Sequence, residues 1–132
     1  MRIRLVFTLT LAVLVIIVAA ALTYDLLRPG EGIVEGKVSI GPWTPVELPG
    51  GSRTPPEVYT SRRILLEGSY LQRVEIPMNG TGYFRATVEA GTYQLTMTNC
   101  TFLGCSRVLP MTVRIDPGQI TELQINIDTG IR

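Results

Sequence analysis

Cys100 and Cys105 are the only cysteines in this 132-residue chain, and it has no histidine. Those two facts bound its chemistry. The cysteines flank the short loop Thr101–Gly104, and an oxidising compartment lets them pair. Closing so small a loop stabilises the fold by roughly 2 kcal/mol through loss of chain entropy. A metal site would need two further ligands of suitable type, and with no histidine and no third cysteine none is expected. Redox catalysis calls for a tighter Cys-x-x-Cys at a helix start, which is missing. Without histidine there is no Ser-His-Asp, Cys-His or His-metal arrangement, and general acid-base work at neutral pH loses its usual agent. The 11 acidic residues fall one or two per strand on the polar phase. A solvated sheet face accounts for them better than a carboxyl pair flanking one glycosidic bond at a defined separation. Pro49-Gly50-Gly51-Ser52 lacks the lysine and the helix of a phosphate-binding loop. The expectation is therefore a non-enzyme with no cofactor.

Binding chemistry is better represented. Trp43 stands in Gly41-Pro42-Trp43-Thr44-Pro45, where proline stiffens the loop, and Phe102 lies between the cysteines. Each has two readings. An exposed aromatic on a stiff loop makes a stacking platform for a sugar or a proline-rich partner. It can equally be a lid over one end of a small core, where covering apolar area gains about 25 cal/mol per Å². The lid is favoured. Asn79-Gly80-Thr81 and Asn99-Cys100-Thr101 match the glycosylation sequon, but hairpin chemistry already asks for asparagine at such places.

The elements that must position these residues divide sharply. Of the first 22 residues 18 are apolar, whereas all 13 glycines and 9 prolines lie after Leu22. After the basic head Arg2 and Arg4, Leu5 to Leu22 runs without charge, glycine or proline. Eighteen helical residues span about 27 Å, close to the hydrocarbon thickness of a bilayer. Residues 1–22 are read as a signal-anchor or a signal peptide with Ala19-Ala20-Ala21 at its cleavage site, with 23–31 as a tether. In both cases the positive-inside rule exports the remainder of the chain. The protein is thus expected at the cell membrane as a single-pass chain with its C-terminal domain outside, or secreted or periplasmic after cleavage. Setting aside Arg2 and Arg4 leaves ten basic groups against eleven acidic, and the longest basic run is Arg62-Arg63. No nucleic-acid partner is expected.

From residue 32 to 132 the period is two. Phe84, Ala86, Val88 and Ala90 alternate with polar neighbours, as do Tyr93, Leu95 and Met97, then Met111, Val113 and Ile115, then Leu123, Ile125 and Ile127. Val34, Val38 and Ile40 form an earlier strand in which Gly36 marks a bulge or a close backbone approach. A strand over 58–67 turns at Gly68-Ser69 into 71–77. Asn79-Gly80, Ala90-Gly91 and Pro117-Gly118 separate the following runs, the first as a hairpin signal and the last as a tight turn. Leu65-Leu66 is read with one side chain in the core and one on the opposite sheet face. Seven short strands, with turn signals about every 8 to 12 residues, predict an all-β fold: an antiparallel seven-strand sandwich preceded by one hydrophobic helix.

Three segments resemble known landmarks. Gly32-Ile33-Val34-Glu35-Gly36-Lys37-Val38, Gly80-Thr81-Gly82-Tyr83-Phe84 and Ala90-Gly91-Thr92-Tyr93-Gln94-Leu95 are similar to the G-x-V-x-G, dG-x-F and pGtY-x-L motifs of carboxypeptidase regulatory-like domains. These belong to the prealbumin-like, or transthyretin-like, sandwiches. The likeness runs from Gly32 to Asp128, while the proline-rich insertion and the cysteine loop depart from the common pattern. It implies a non-catalytic accessory or structural unit. Enzymes of the transthyretin-related class that hydrolyse a urate-pathway intermediate use histidines and another C-terminal signature, and this chain has neither. The resulting expectation is a structural, adhesive or accessory-binding module whose partners are the membrane and an envelope protein or glycan. The alternative is a carbohydrate or small-molecule binder using loop aromatics such as Trp43.

Overall fold

The computed structural model describes residues 1–45 and 53–132. Pro49-Gly50-Gly51-Ser52 lies outside the described residues. Helix α1 (Arg2–Leu27) is followed by β1 (Glu31–Gly41), α2 (Pro56–Thr60), β2 (Arg63–Glu67), β3 (Arg73–Pro77), β4 (Tyr83–Glu89), β5 (Gly91–Met97), α3 (Cys105–Val108), β6 (Met111–Ile115) and β7 (Ile120–Asp128).

α1 runs five residues past Leu22, so the connection to β1 shrinks from the expected 23–31 to residues 28–30. Nothing in Thr23-Tyr24-Asp25-Leu26-Leu27 breaks a helix. Arg28 ends it with φ −67° and ψ 125°, because the ring of Pro29 excludes helical geometry from the residue before it. Within the helix the hydroxyls of Thr10 and Thr23 donate to the carbonyls of Val6 and Ala19, four residues back. Their polar groups are thereby satisfied without water.

The strands form two sheets, β4-β1-β7 and β3-β2-β5-β6. Alternation places Val34, Val38, Phe84, Val88, Tyr93, Leu95, Val113, Ile115, Ile125 and Ile127 in one core between them. Apart from the tyrosines Tyr59 and Tyr93, no polar or charged side chain is buried among the described residues. Leu65 and Leu66 are both buried, but only Leu66 joins that core, since successive residues of β2 face opposite sides.

Several expectations are corrected. The sheets are not wholly antiparallel: β1 pairs in parallel with β7, from Ile33 opposite Ile120 to Gly41 opposite Asp128. Each tight turn reverses the chain, so β7 leaves the Pro117-Gly118 turn in the direction β1 already runs. The predicted strand over 58–67 begins as helix α2. Pro56 in the first turn has its φ preset for a helix and Glu57 suits the positive end, which outweighs the β preference of Val58 and Tyr59. The Asn79-Gly80 turn does not close a hairpin, because β3 and β4 belong to different sheets. Ala90-Gly91 and Pro117-Gly118 likewise carry the chain across the sandwich. Turn chemistry sets the reversal and leaves the pairing to the core. Asn79 does serve its turn, its Oδ1 accepting from the Thr81 and Tyr83 N–H groups at 2.9 and 3.0 Å.

Gly36 proves to be a close approach and not a bulge, since its register with Phe84 and Leu123 is continuous. A Cβ there would lie 2.9 Å from Phe84 Cζ and collide with the Leu123 carbonyl oxygen. Gly36→Ala is expected to destabilise by roughly 1–3 kcal/mol through overpacking. Denaturant titration in detergent would reveal it, and an unchanged midpoint would contradict the packing described.

Tyr93 buries its ring and donates its hydroxyl to Glu89 O at 2.7 Å. Burial first, and the Glu89 carboxylate second, push its phenol above the usual value. The unfolded chain ionises at about pH 10. The stabilisation is therefore complete below that pH and fades as pH rises toward the higher folded value. Unfolding midpoints should fall above about pH 10, and Tyr93→Phe should flatten that fall while costing about 1 kcal/mol at neutral pH.

Candidate functional site

Strand direction gives the sandwich two unlike ends. β1 starts at the α1 connection and finishes at Gly41. At that far end lie Trp43, α2, the Asn79–Gly82 turn, the cysteine loop with α3 and the residues after β7.

The Gly41–Pro42 bond is cis, and Trp43 packs against the core edge over the end of β1. Its indole N–H donates to Ile40 O at 2.9 Å and to Thr54 Oγ1 at 3.0 Å, while the Thr54 hydroxyl donates to the same carbonyl at 2.7 Å. The Ile40 N–H donates to the buried Tyr59 hydroxyl at 3.3 Å. Both backbone groups of Ile40 thus find partners where the sheet ladder ends, as groups near an apolar interior must.

Trp43 and Phe102, the two predicted aromatics, come together edge to face with centroids 5.7 Å apart. The Arg62 guanidinium carbon lies 4.9 Å from the Phe102 centroid. Arg62 also donates to Asn99 O at 3.1 Å and Val58 O at 2.6 Å, stapling α2 to the cysteine loop. Phe102 is consequently held between a cation and an indole. Cys100 and Cys105 are joined, with Cα atoms 5.9 Å apart. Gly104 N–H donates to Asp128 O at 2.7 Å, tying the loop to the end of β7.

Beside this cluster an open cleft of about 910 Å³ crosses the outer face of the three-stranded sheet. Lys37, Ser39 and Asn126 form its floor, with Trp43, Arg53 and Thr81 on its walls. Asp128 also borders it, its carboxyl held below the usual range by hydrogen bonds from Arg132 at 2.7 Å and the Gly130 N–H at 2.9 Å. Such a surface offers donors, two cationic side chains and two aromatics, Trp43 and Tyr59. No group of three or more potential metal ligands occurs among the described residues.

No protein-family model matches the chain, and no curated protein does. Among the solved structures similar to it are two described by the same family label. One is a DUF3823 family protein from Parabacteroides merdae ATCC 43184, at 16% identity and a TM-score of 0.46, covering 75% of this chain and 46% of that one. The other is a DUF3823 family protein from Bacteroides ovatus ATCC 8483, at 10% identity and a TM-score of 0.47, covering 74% and 44%. The chain spans less than half the length of either.

Trp43, Phe102 and both cysteines, singled out in the sequence, meet in this cluster, whereas Arg62, Thr54 and Tyr59, which hold it together, are not singled out for it. Pro55-Pro56-Glu57 is a legible helix start that would have moved Tyr59 off a strand. Nothing local marks Arg62, whose partners are distant in the chain. Replacing both cysteines by serine is expected to cost roughly 2 kcal/mol, the entropy of so short a loop. Trp43 emission during denaturation would report it, and an unshifted transition would mean the bond pins nothing.

Proposed function

We propose that this protein is a non-enzymatic extracytoplasmic module anchored by α1, with a sandwich of the carboxypeptidase regulatory-like, prealbumin-like (Ig-like) type serving a structural, adhesive or accessory-binding role. The observation that carries it is α1 itself. Val6–Leu27 is 22 residues of apolar helix with none of it buried against protein. At 1.5 Å per residue it spans about 33 Å, enough for a bilayer's hydrocarbon. Arg2 and Arg4 precede it, and by the positive-inside rule they support an outside position for the sandwich. The disulfide agrees with an oxidising compartment. The three landmark segments fall on β1, on the entry to β4 and on the start of β5, which supports the family resemblance. In this reading 1–22 is the core of the anchor and 32–132 the exported domain. That domain presents its far-end loops to another envelope component, a rigid scaffold holding surface loops.

The cleft floored by Lys37 and Asn126 favours a second reading, a carbohydrate or small-molecule binder. Trp43 would be one wall, with its N–H already committed within the protein. Two measurements separate the possibilities. Membranes from cells making the full chain should retain it through alkaline washing, and protease added outside should reach the sandwich; release by the wash would refute the anchor. A glycan array should show no binding. Binding lost in Lys37→Ala would install the second reading in place of the first.

A further inference from the structure

The end of the sandwich opposite Trp43 carries two side chains that neither the core nor the turn accounts for. β2 and β3 are joined by a tight hairpin in which Gly68 N–H donates to Gln72 O at 2.8 Å and Gln72 N–H to Ser69 O at 3.3 Å. Its two central residues are Tyr70 and Leu71, at φ 55° and 62°. A turn with both central residues in the left-handed region favours Asn-Gly or Asp-Gly, because a Cβ there crowds the backbone. Large side chains occupy both places, and both stand wholly in water, at 98% and 101% of full exposure. A large apolar pair on a strained and fully exposed tip is an unusual surface.

Its place in the fold supplies the reason. The first residue of β1, Glu31, pairs with Glu89, and Gly30 O accepts from the Ala90 N–H at 2.7 Å, so the chain enters from α1 at the Glu89 end. The β2–β3 hairpin closes at this same end, where Gln72 Nε2 donates to Glu89 Oε2 at 3.3 Å. Ile120, 54% exposed, opens β7 there opposite Ile33. Only Arg28, Pro29 and Gly30 separate α1 from β1, and three residues reach at most about 10 Å. A domain held so closely keeps this end against the surface from which α1 emerges.

We infer that Tyr70 and Leu71 form a foot that docks into the interface of the bilayer crossed by α1, seating the sandwich with its Trp43 end outward. The inference rests on α1 being a retained anchor. Tyrosine suits the headgroup boundary, where its ring is sheltered and its hydroxyl stays wet, and the neighbouring leucine reaches the acyl edge. Glu31, Glu67, Glu89 and Asp116 lie at this end with Arg28, Arg73 and Arg114. That balance gives anionic lipid no advantage. The contact is apolar and persists in zwitterionic membranes and at high salt.

The test uses the full chain in phosphatidylcholine vesicles. Trp43 is the only native tryptophan, so Tyr70→Trp and Leu71→Trp each add one reporter at a fully exposed position. The emission added by either variant should be blue-shifted, lost to a nitroxide lipid labelled near the top of its acyl chain, and protected from aqueous iodide. Trp43 in the unsubstituted chain should be untouched by the nitroxide lipid. Protein that floats with the vesicles while both reporters stay red-shifted and open to iodide overturns the foot and leaves the anchor standing. Blue-shifted reporters that the lipid label does not quench overturn it also, since the tip is then covered by protein. Failure to float removes the anchor, and the foot with it.

Discussion

The two-sided hydrogen bonding of β1 is the constraint on which the three-stranded sheet depends. β4 and β7 do not pair with each other; each pairs with β1, one antiparallel and one parallel. The strand must therefore be long, with eleven residues, and thin enough in its middle for Phe84 to lie across Gly36. Its inner face supplies Val34, Val38 and Ile40 to the core. A side chain at Gly36 would press on both neighbouring strands at once, on Phe84 of one and Leu123 of the other.

The same strand also sets the polarity of the molecule. Three residues separate its first residue from α1, and its last delivers the chain to Pro42 and Trp43. Loops therefore sort by the direction of the strands they join. The far end gathers α2, the cysteine loop and the tail after β7, knitted by Arg62, Thr54 and the Gly104–Asp128 hydrogen bond. The near end keeps only short connections, one of them tipped by Tyr70 and Leu71. In the proposed anchoring, one end seats on the membrane and the other is free to meet a partner.

Local pattern carries much of this. Alternating residues from Phe84 to Val88 and from Tyr93 to Met97 are legible because the pleat sends successive side chains to opposite faces, and a core admits one face only. Pro117-Gly118 reads as a turn because proline presets φ and glycine accepts positive φ without strain, and Gly118 does adopt φ 71°. The stretch over 58–67 misleads because Val58 and Tyr59 favour strands, while the proline and acid before them start a helix.

The sequence by itself determined the apolar helix, the number of strands, the faces they bury and the proximity of the cysteines, all of which depend on neighbours within a few residues. Which strands pair was decided only in three dimensions. A tight turn reverses the chain equally well within one sheet or between two, so the crossings at Asn79-Gly80 and Ala90-Gly91, and the parallel union of β1 with β7, come from closing both walls over one interior. The meeting of Trp43, Phe102 and Arg62 has the same origin. So does the placing of Tyr70 beside the α1 connection, since residues far apart in the chain share an end only once the strand directions are set.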